Sequence, residues 1–174
     1  MSQQAYQHLY TKTRYGKASK NACPGFRYLP QYEDWLIGSV FDFGSGSGDT
    51  VAAIRKAGFE AIGMDQVDLD NGMLVGDITA PLEGHEFRTA VCIDVFEHIL
   101  DEGLEGLIAN MKKAERQVIG VSSELSKNTG PDGEVLHINI KTLPEWVAFL
   151  ERDFVIHKTI NQGPKRCLYL TAIR

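Results

Sequence analysis

Little in this chain points to a scaffold imposed from outside. Its 174 residues hold three cysteines, Cys23, Cys92 and Cys167, an odd number without C-x-x-C spacing. The simplest reading is reduced thiols in a cytoplasmic protein, not a disulfide frame or zinc site. No apolar run approaches the ~20 residues needed to cross a bilayer. The first residues, MSQQAYQHLYTKTRYGK, lack the apolar stretch of a secretory signal. Excess positive charge is missing too. The formal net charge of −5 argues against a general nucleic-acid surface, although Arg14, Lys17 and Lys20 form a small basic patch. There is no internal repeat and no low-complexity segment.

What is present is an ordinary globular balance, 43% hydrophobic and 24% charged. Residues 1–38 are polar and rich in tyrosine, which predicts an N-terminal lid or arm ahead of a domain spanning 39–174. From Val40 short apolar runs recur at Val40–Phe43, Ala61–Met64, Met73–Val75, Ala90–Ile93, Gln117–Val121, Phe154–Ile160 and Cys167–Ile173. Helical patterns fall between several of them. Asp49–Ala57 is short, while Asp101–Glu115 carries Leu104, Leu107, Ile108 and Met111 on one face, with Asp101 placed as its N-cap. Thr142-Leu-Pro-Glu145 reads as a capping box ahead of Trp146, Val147, Phe149 and Leu150. Strands alternating with helices predict an α/β fold, a mainly parallel sheet with helices on both faces. The last two strands are joined by only Asn161–Arg166, too short for a crossover helix, so they should close as an antiparallel hairpin.

The stretch Val40-Phe-Asp-Phe-Gly-Ser-Gly-Ser-Gly48 is a buried strand running into a turn with glycine at alternate positions. Such a turn admits positive φ and close approach of a ligand to the main chain. Dinucleotides, nucleoside triphosphates and S-adenosylmethionine all use turns of this kind. The dinucleotide fingerprint G-x-G-x-x-G fails, because the sixth position from Gly44 is Asp49 and from Gly46 is Val51. The P-loop pattern fails for want of a Lys-Ser/Thr pair. Three further acidic strand ends follow in order. They are Asp65 in Ala61-Ile-Gly-Met-Asp65, Asp77 in Gly76-Asp-Ile-Thr79, and Asp94 in Ile93-Asp-Val-Phe-Glu-His98. A carboxylate at Asp65 suits paired ribose hydroxyls, and charge-assisted bonds of that kind are stronger than neutral ones.

Together these segments resemble the class I S-adenosylmethionine-dependent methyltransferases, over roughly three quarters of the chain. The resemblance implies a seven-stranded sheet with the last strand antiparallel. It implies that Asp42 and the turn Gly44, Ser45, Gly46 and Gly48 surround the methionine moiety, with Asp94 beside its amino group. Asp65, with Gln66 next to it, would hold ribose, and Asp77 with Ile78 would hold adenine. The segment between Asp65 and Asp77 is too short for a full helix. Tyr10, Arg14, Tyr15 and Gly16 resemble the lids of small methyltransferases.

For chemistry on the acceptor, His98 and His137 are the candidate bases, since histidine titrates near neutrality. Asp94, Glu97, His98 and His137 also resemble the ligand arrangement of metal-assisted O-methyltransferases. Asp94 stands where those enzymes carry Glu, and the expectation is a site without metal. No (Asn/Asp)-Pro-Pro-(Tyr/Phe) tetrapeptide follows the fourth strand, where enzymes that methylate nucleic-acid bases carry it. The expected acceptor is therefore a small polar or glycan-like molecule, methylated at oxygen. A non-catalytic cofactor-binding subunit and a nucleic-acid methyltransferase are the alternatives, and an oligomer is compatible with either.

Overall fold

The computed structural model describes residues 6–8, 10, 24–126 and 129–174. Seven strands, β1 (Val40–Phe43), β2 (Ala61–Asp65), β3 (Leu74–Val75), β4 (Thr89–Ile93), β5 (Arg116–Ser122), β6 (Phe154–Asn161) and β7 (Arg166–Ile173), form one sheet in the order β3-β2-β1-β4-β5-β7-β6. Strands β1 to β5 pair in parallel, and β7 runs antiparallel to both β5 and β6. The fold is the α/β sheet with a C-terminal hairpin expected from the alternation of apolar runs.

Burial explains the strand sequences. Every residue of β1 and of β4 is buried, as befits central parallel strands covered on both faces. Alternate side chains feed two cores. On one face Phe41, Phe43, Cys92 and Ile119 pack against α3 (Asp101–Met111) and α4 (Leu143–Leu150) through Leu104, Leu107, Trp146 and Leu150. On the other, Val40, Val91, Ile93 and Val118 pack against α1 (Pro24–Tyr32) and α2 (Asp49–Lys56) through Leu29, Tyr32 and Ile54.

Three details depart from the sequence reading. Residues 24–36, inside the segment expected to be an arm, form α1 and a 3-10 turn that bury Leu29, Tyr32 and Leu36 against the sheet. Leu100, not Asp101, is the N-cap of α3; Asp101 begins the helix and instead accepts from Asn139 Nδ2 at 2.9 Å and Lys141 Nζ at 2.6 Å. The same helix stops at Met111, because the N–H groups of Glu115 and Arg116 turn back to the Arg88 carbonyl to start β5. Arg14, Tyr15, Gly16, Lys17, Lys20 and Cys23 lie outside the described residues, whereas Cys92 and Cys167 are buried free thiols. No helix among the described residues is long and apolar enough to cross a membrane.

The capping box of α4 is complete: Thr142 Oγ1 accepts from the Glu145 N–H at 3.3 Å, and Glu145 Oε2 accepts from the Thr142 N–H at 2.7 Å. Thr142→Ala removes one half of it and is expected to lower stability by about 1 kcal/mol in urea denaturation. An unchanged midpoint would show that packing of Trp146 and Leu150 alone sets the start of this helix.

Candidate active site

The sheet order reverses between β1 and β4, and ligands of open α/β sheets sit outside the carboxyl ends of the strands at such a point. A cleft of about 890 Å³ opens there. Its floor is the glycine turn. Gly44 has φ +76°, and a Cβ on it would lie 2.5 Å from Val95 Cγ2. Gly46 has φ +50°, and a Cβ on it would lie 2.6 Å from the Tyr10 hydroxyl. The left-handed backbone favours glycine at both positions, and a Cβ on either would have to displace a neighbouring side chain. Gly48 does not line the cleft; it is the left-handed N-cap that turns the chain into α2.

Asp65 ties this turn to the end of β2. Its Oδ2 accepts from the Gly46 N–H at 2.9 Å and its Oδ1 from the Val67 N–H at 3.1 Å. Burial pushes its pKa up, while these N–H groups and that of Gln66 pull it down. The loop between β2 and β3 contains no helix, as its length predicted, and Asn71 Nδ2 anchors it to the Gly46 carbonyl at 2.9 Å. Asp77 is exposed at the cleft edge, where its Oδ1 accepts from the N–H and hydroxyl of Thr79. Ser45, Gln66 and Ile78 also line the cleft.

The other acids lie deeper. Asp42 is buried on β1, and burial followed by the charge of Asp65 pushes its carboxyl up to about 8. Asp94 follows β4 with φ +58°, a left-handed conformation unusual for a side-chain-bearing residue. Its Oδ2 pairs with Arg166 Nη2 at 3.0 Å, while Oδ1 is buried without a partner among the described residues. Burial raises its pKa to about 6 against the opposing pull of Arg166. Arg166 carried no sequence signal. It reaches the cleft because β7 inserts beside β5, next to β4.

His98 and His137, distant in sequence, meet edge to face with ring centroids 4.7 Å apart. His98 Nδ1 donates to the Leu136 carbonyl at 2.8 Å, and His137 Nδ1 donates to the Glu124 carbonyl. A carbonyl only accepts, so each ring carries its proton on Nδ1 and its lone pair on Nε2. Burial is the main cause lowering both pKa values, that of His98 to about 4. Tyr6 packs on His98 edge to face at 5.7 Å, so a residue from the N-terminal segment borders the site.

No protein-family model matches the sequence, and no curated protein matches it either. Solved structures do match. A TehB-like S-adenosylmethionine-dependent methyltransferase from Corynebacterium glutamicum superposes with a TM-score of 0.71 at 17% identity, covering 97% of this chain and 98% of that one. The 1,6-didemethyltoxoflavin N1-methyltransferase of Burkholderia thailandensis, solved with its substrate and S-adenosylhomocysteine, gives 0.68 at 14% identity over 97% and 81%. The mitomycin 7-O-methyltransferase MmcR gives 0.64 at 12% identity over 97% of this chain and 60% of that one. The fold is that of the class I S-adenosylmethionine-dependent methyltransferases. On this methyltransferase fold the two neighbours named by acceptor atom act at nitrogen and at oxygen, so the fold alone does not select the acceptor.

Proposed function

We propose that the chain is a cytoplasmic S-adenosylmethionine-dependent methyltransferase acting on a small polar acceptor, with oxygen as the methylated atom. The observation that carries the cofactor reading is the sign of the charge around the glycine turn. Asp42, Asp65 and Asp94 crowd the turn, and among the described residues Arg166 is the cation that pairs with one of them, Asp94. Dinucleotides and nucleoside triphosphates would bring phosphates to this place, and the carboxylates of Asp65 and Asp94 would repel them. S-adenosylmethionine brings an ammonium and a sulfonium, and a cation suits the unpartnered Asp94 Oδ1. The cofactor also supplies the electrophilic methyl group.

In this reading Asp65 and Gln66 hold the ribose, Asp77 and Ile78 the adenine, and Asp42, the glycine turn and Asp94 the methionine end. His98 and His137 face the acceptor side, where an Nε2 lone pair can receive the proton of a hydroxyl. His137 is the better base of the two, because it is less deeply buried than His98. The buried free thiols of Cys92 and Cys167 accord with a reducing compartment.

Calorimetry with S-adenosylmethionine, followed by a mass-shift assay over phenols, sugars and amines, tests the proposal. Saturable binding and a one-methyl mass increase on a hydroxylated acceptor are expected. Absence of binding would overturn the cofactor assignment. Binding without turnover across the panel would favour a cofactor-binding subunit of a larger enzyme.

A further inference from the structure

Methyl transfer leaves Glu97 without a role. Its carboxyl is fully buried, and among the described residues no donor meets Oε1 or Oε2 in hydrogen-bond geometry; burial, then the charge of Asp94, pushes its pKa well above the ordinary range against the smaller pull of the backbone N–H groups of Glu97 and Ser122. A carboxylate removed from water needs a proton, a donor or a cation. The two imidazoles beside it have the arrangement that metal-binding histidines show. Each donates Nδ1–H to a backbone carbonyl, which fixes the ring and leaves the Nε2 lone pair available. One nitrogen of each ring and one oxygen of Glu97 all lie within 4.8 Å of one another.

We propose that Glu97, His98 and His137 bind a divalent first-row transition ion at the base of the cleft. Ligand atoms about 2.0–2.2 Å from a common ion stand at most roughly 4.4 Å apart, so this set needs only a small inward adjustment. Two imidazoles and one carboxylate favour Mn²⁺, Co²⁺ or Zn²⁺ over Mg²⁺ and Ca²⁺, which prefer all-oxygen surroundings. Asp94 is not part of the set, since its Oδ2 is committed to Arg166. Glu97 lies beneath the cleft while both histidines line it. The remaining coordination positions therefore face the space an acceptor would enter. The sequence by itself favoured a site without metal, because Asp94 stands where metal-assisted O-methyltransferases carry Glu, and it shows neither the tautomers nor the unpartnered carboxylate. Ion binding does not rest on the methyltransferase reading. Its consequence does: a bound ion would lower the pKa of an acceptor hydroxyl, and the two rings would serve as ligands in place of a base.

Co²⁺ titrated into the chelator-treated full-length chain tests this by its visible ligand-field absorption. One equivalent should saturate the band. Glu97→Gln and His137→Asn should each weaken binding by about tenfold or more. His157→Asn, which alters a ring stacked on Trp35, should leave it unchanged. Binding of S-adenosylhomocysteine by each variant shows that it is folded, and if Glu97→Gln fails that control, His137→Asn decides. No band in the wild type, or a band of equal affinity in the folded variants, would overturn the site. Co²⁺ binding without S-adenosylhomocysteine binding in the wild type would leave the ion site standing and sink the methyltransferase reading.

Discussion

Asparagine in place of Asp42 is expected to stabilise the free protein at pH 8 by on the order of 5 kcal/mol, and to change little near pH 4. The folded state holds this carboxyl at about 8, against an ordinary value of 3.8, because burial and the neighbouring charge of Asp65 penalise its anion. Between those two values the folded chain keeps a proton that the unfolded chain has released. Stability is therefore lost steadily as pH rises from about 4 to about 8, and does not fall further through this group above that. Asparagine has the same shape and never ionises, so the variant escapes the loss. Urea denaturation of both proteins at several pH values reads the difference directly. Parallel curves with no gap at pH 8 would show that Asp42 titrates normally.

The same substitution should weaken S-adenosylmethionine binding while leaving S-adenosylhomocysteine, which lacks the sulfonium charge, less affected. A cation beside Asp42 favours its anion, so cofactor binding near neutral pH should release a proton. Calorimetry in buffers of different ionisation enthalpy measures that release. Destabilising buried acids in the free protein are thus the counterpart of affinity for a cationic ligand, a trade between stability and function that binding sites commonly show.

How much of this was legible in the sequence depended on distance along the chain. The strand β1, the glycine turn and the acidic end of β2 were readable because apolar runs and glycine spacing are local signals. The capping box at Thr142 was readable for the same reason. The pairing of Asp94 with Arg166 was not, since only the insertion of β7 beside β5 brings them together. Nor could the sequence show that backbone carbonyls from one loop, those of Leu136 and Glu124, fix the tautomers of His98 and His137. The N-cap of α3 was misplaced by one residue. Aspartate is a good capping residue, but here Lys141 and Asn139 compete for its carboxylate and the helix starts on it. The tyrosine-rich composition of residues 1–38 concealed Leu29, Tyr32 and Leu36, which the sheet recruits into its core.

Asp65→Ala should weaken S-adenosylmethionine binding by about 10- to 100-fold, since a hydrogen bond to a charged acceptor contributes roughly 1.5–3 kcal/mol. The structure adds a second cost to the one the sequence suggested. Asp65 also accepts from the N–H groups of Gly46 and Val67, so its loss strands buried donors and frees the glycine turn from β2. Unsatisfied groups of that kind cost about 1–3 kcal/mol of stability. The two effects separate in Asp65→Asn, whose amide oxygen can keep one N–H bond but whose charge is gone. If Asp65 acts on the ribose directly, the asparagine variant should recover most of the stability and little of the affinity. If it acts only by holding the turn, affinity and stability should recover together. Melting curves and calorimetry on the same two variants distinguish a ligand-contacting carboxylate from a structural brace. Unchanged affinity in Asp65→Ala would remove Asp65 from the cofactor site altogether.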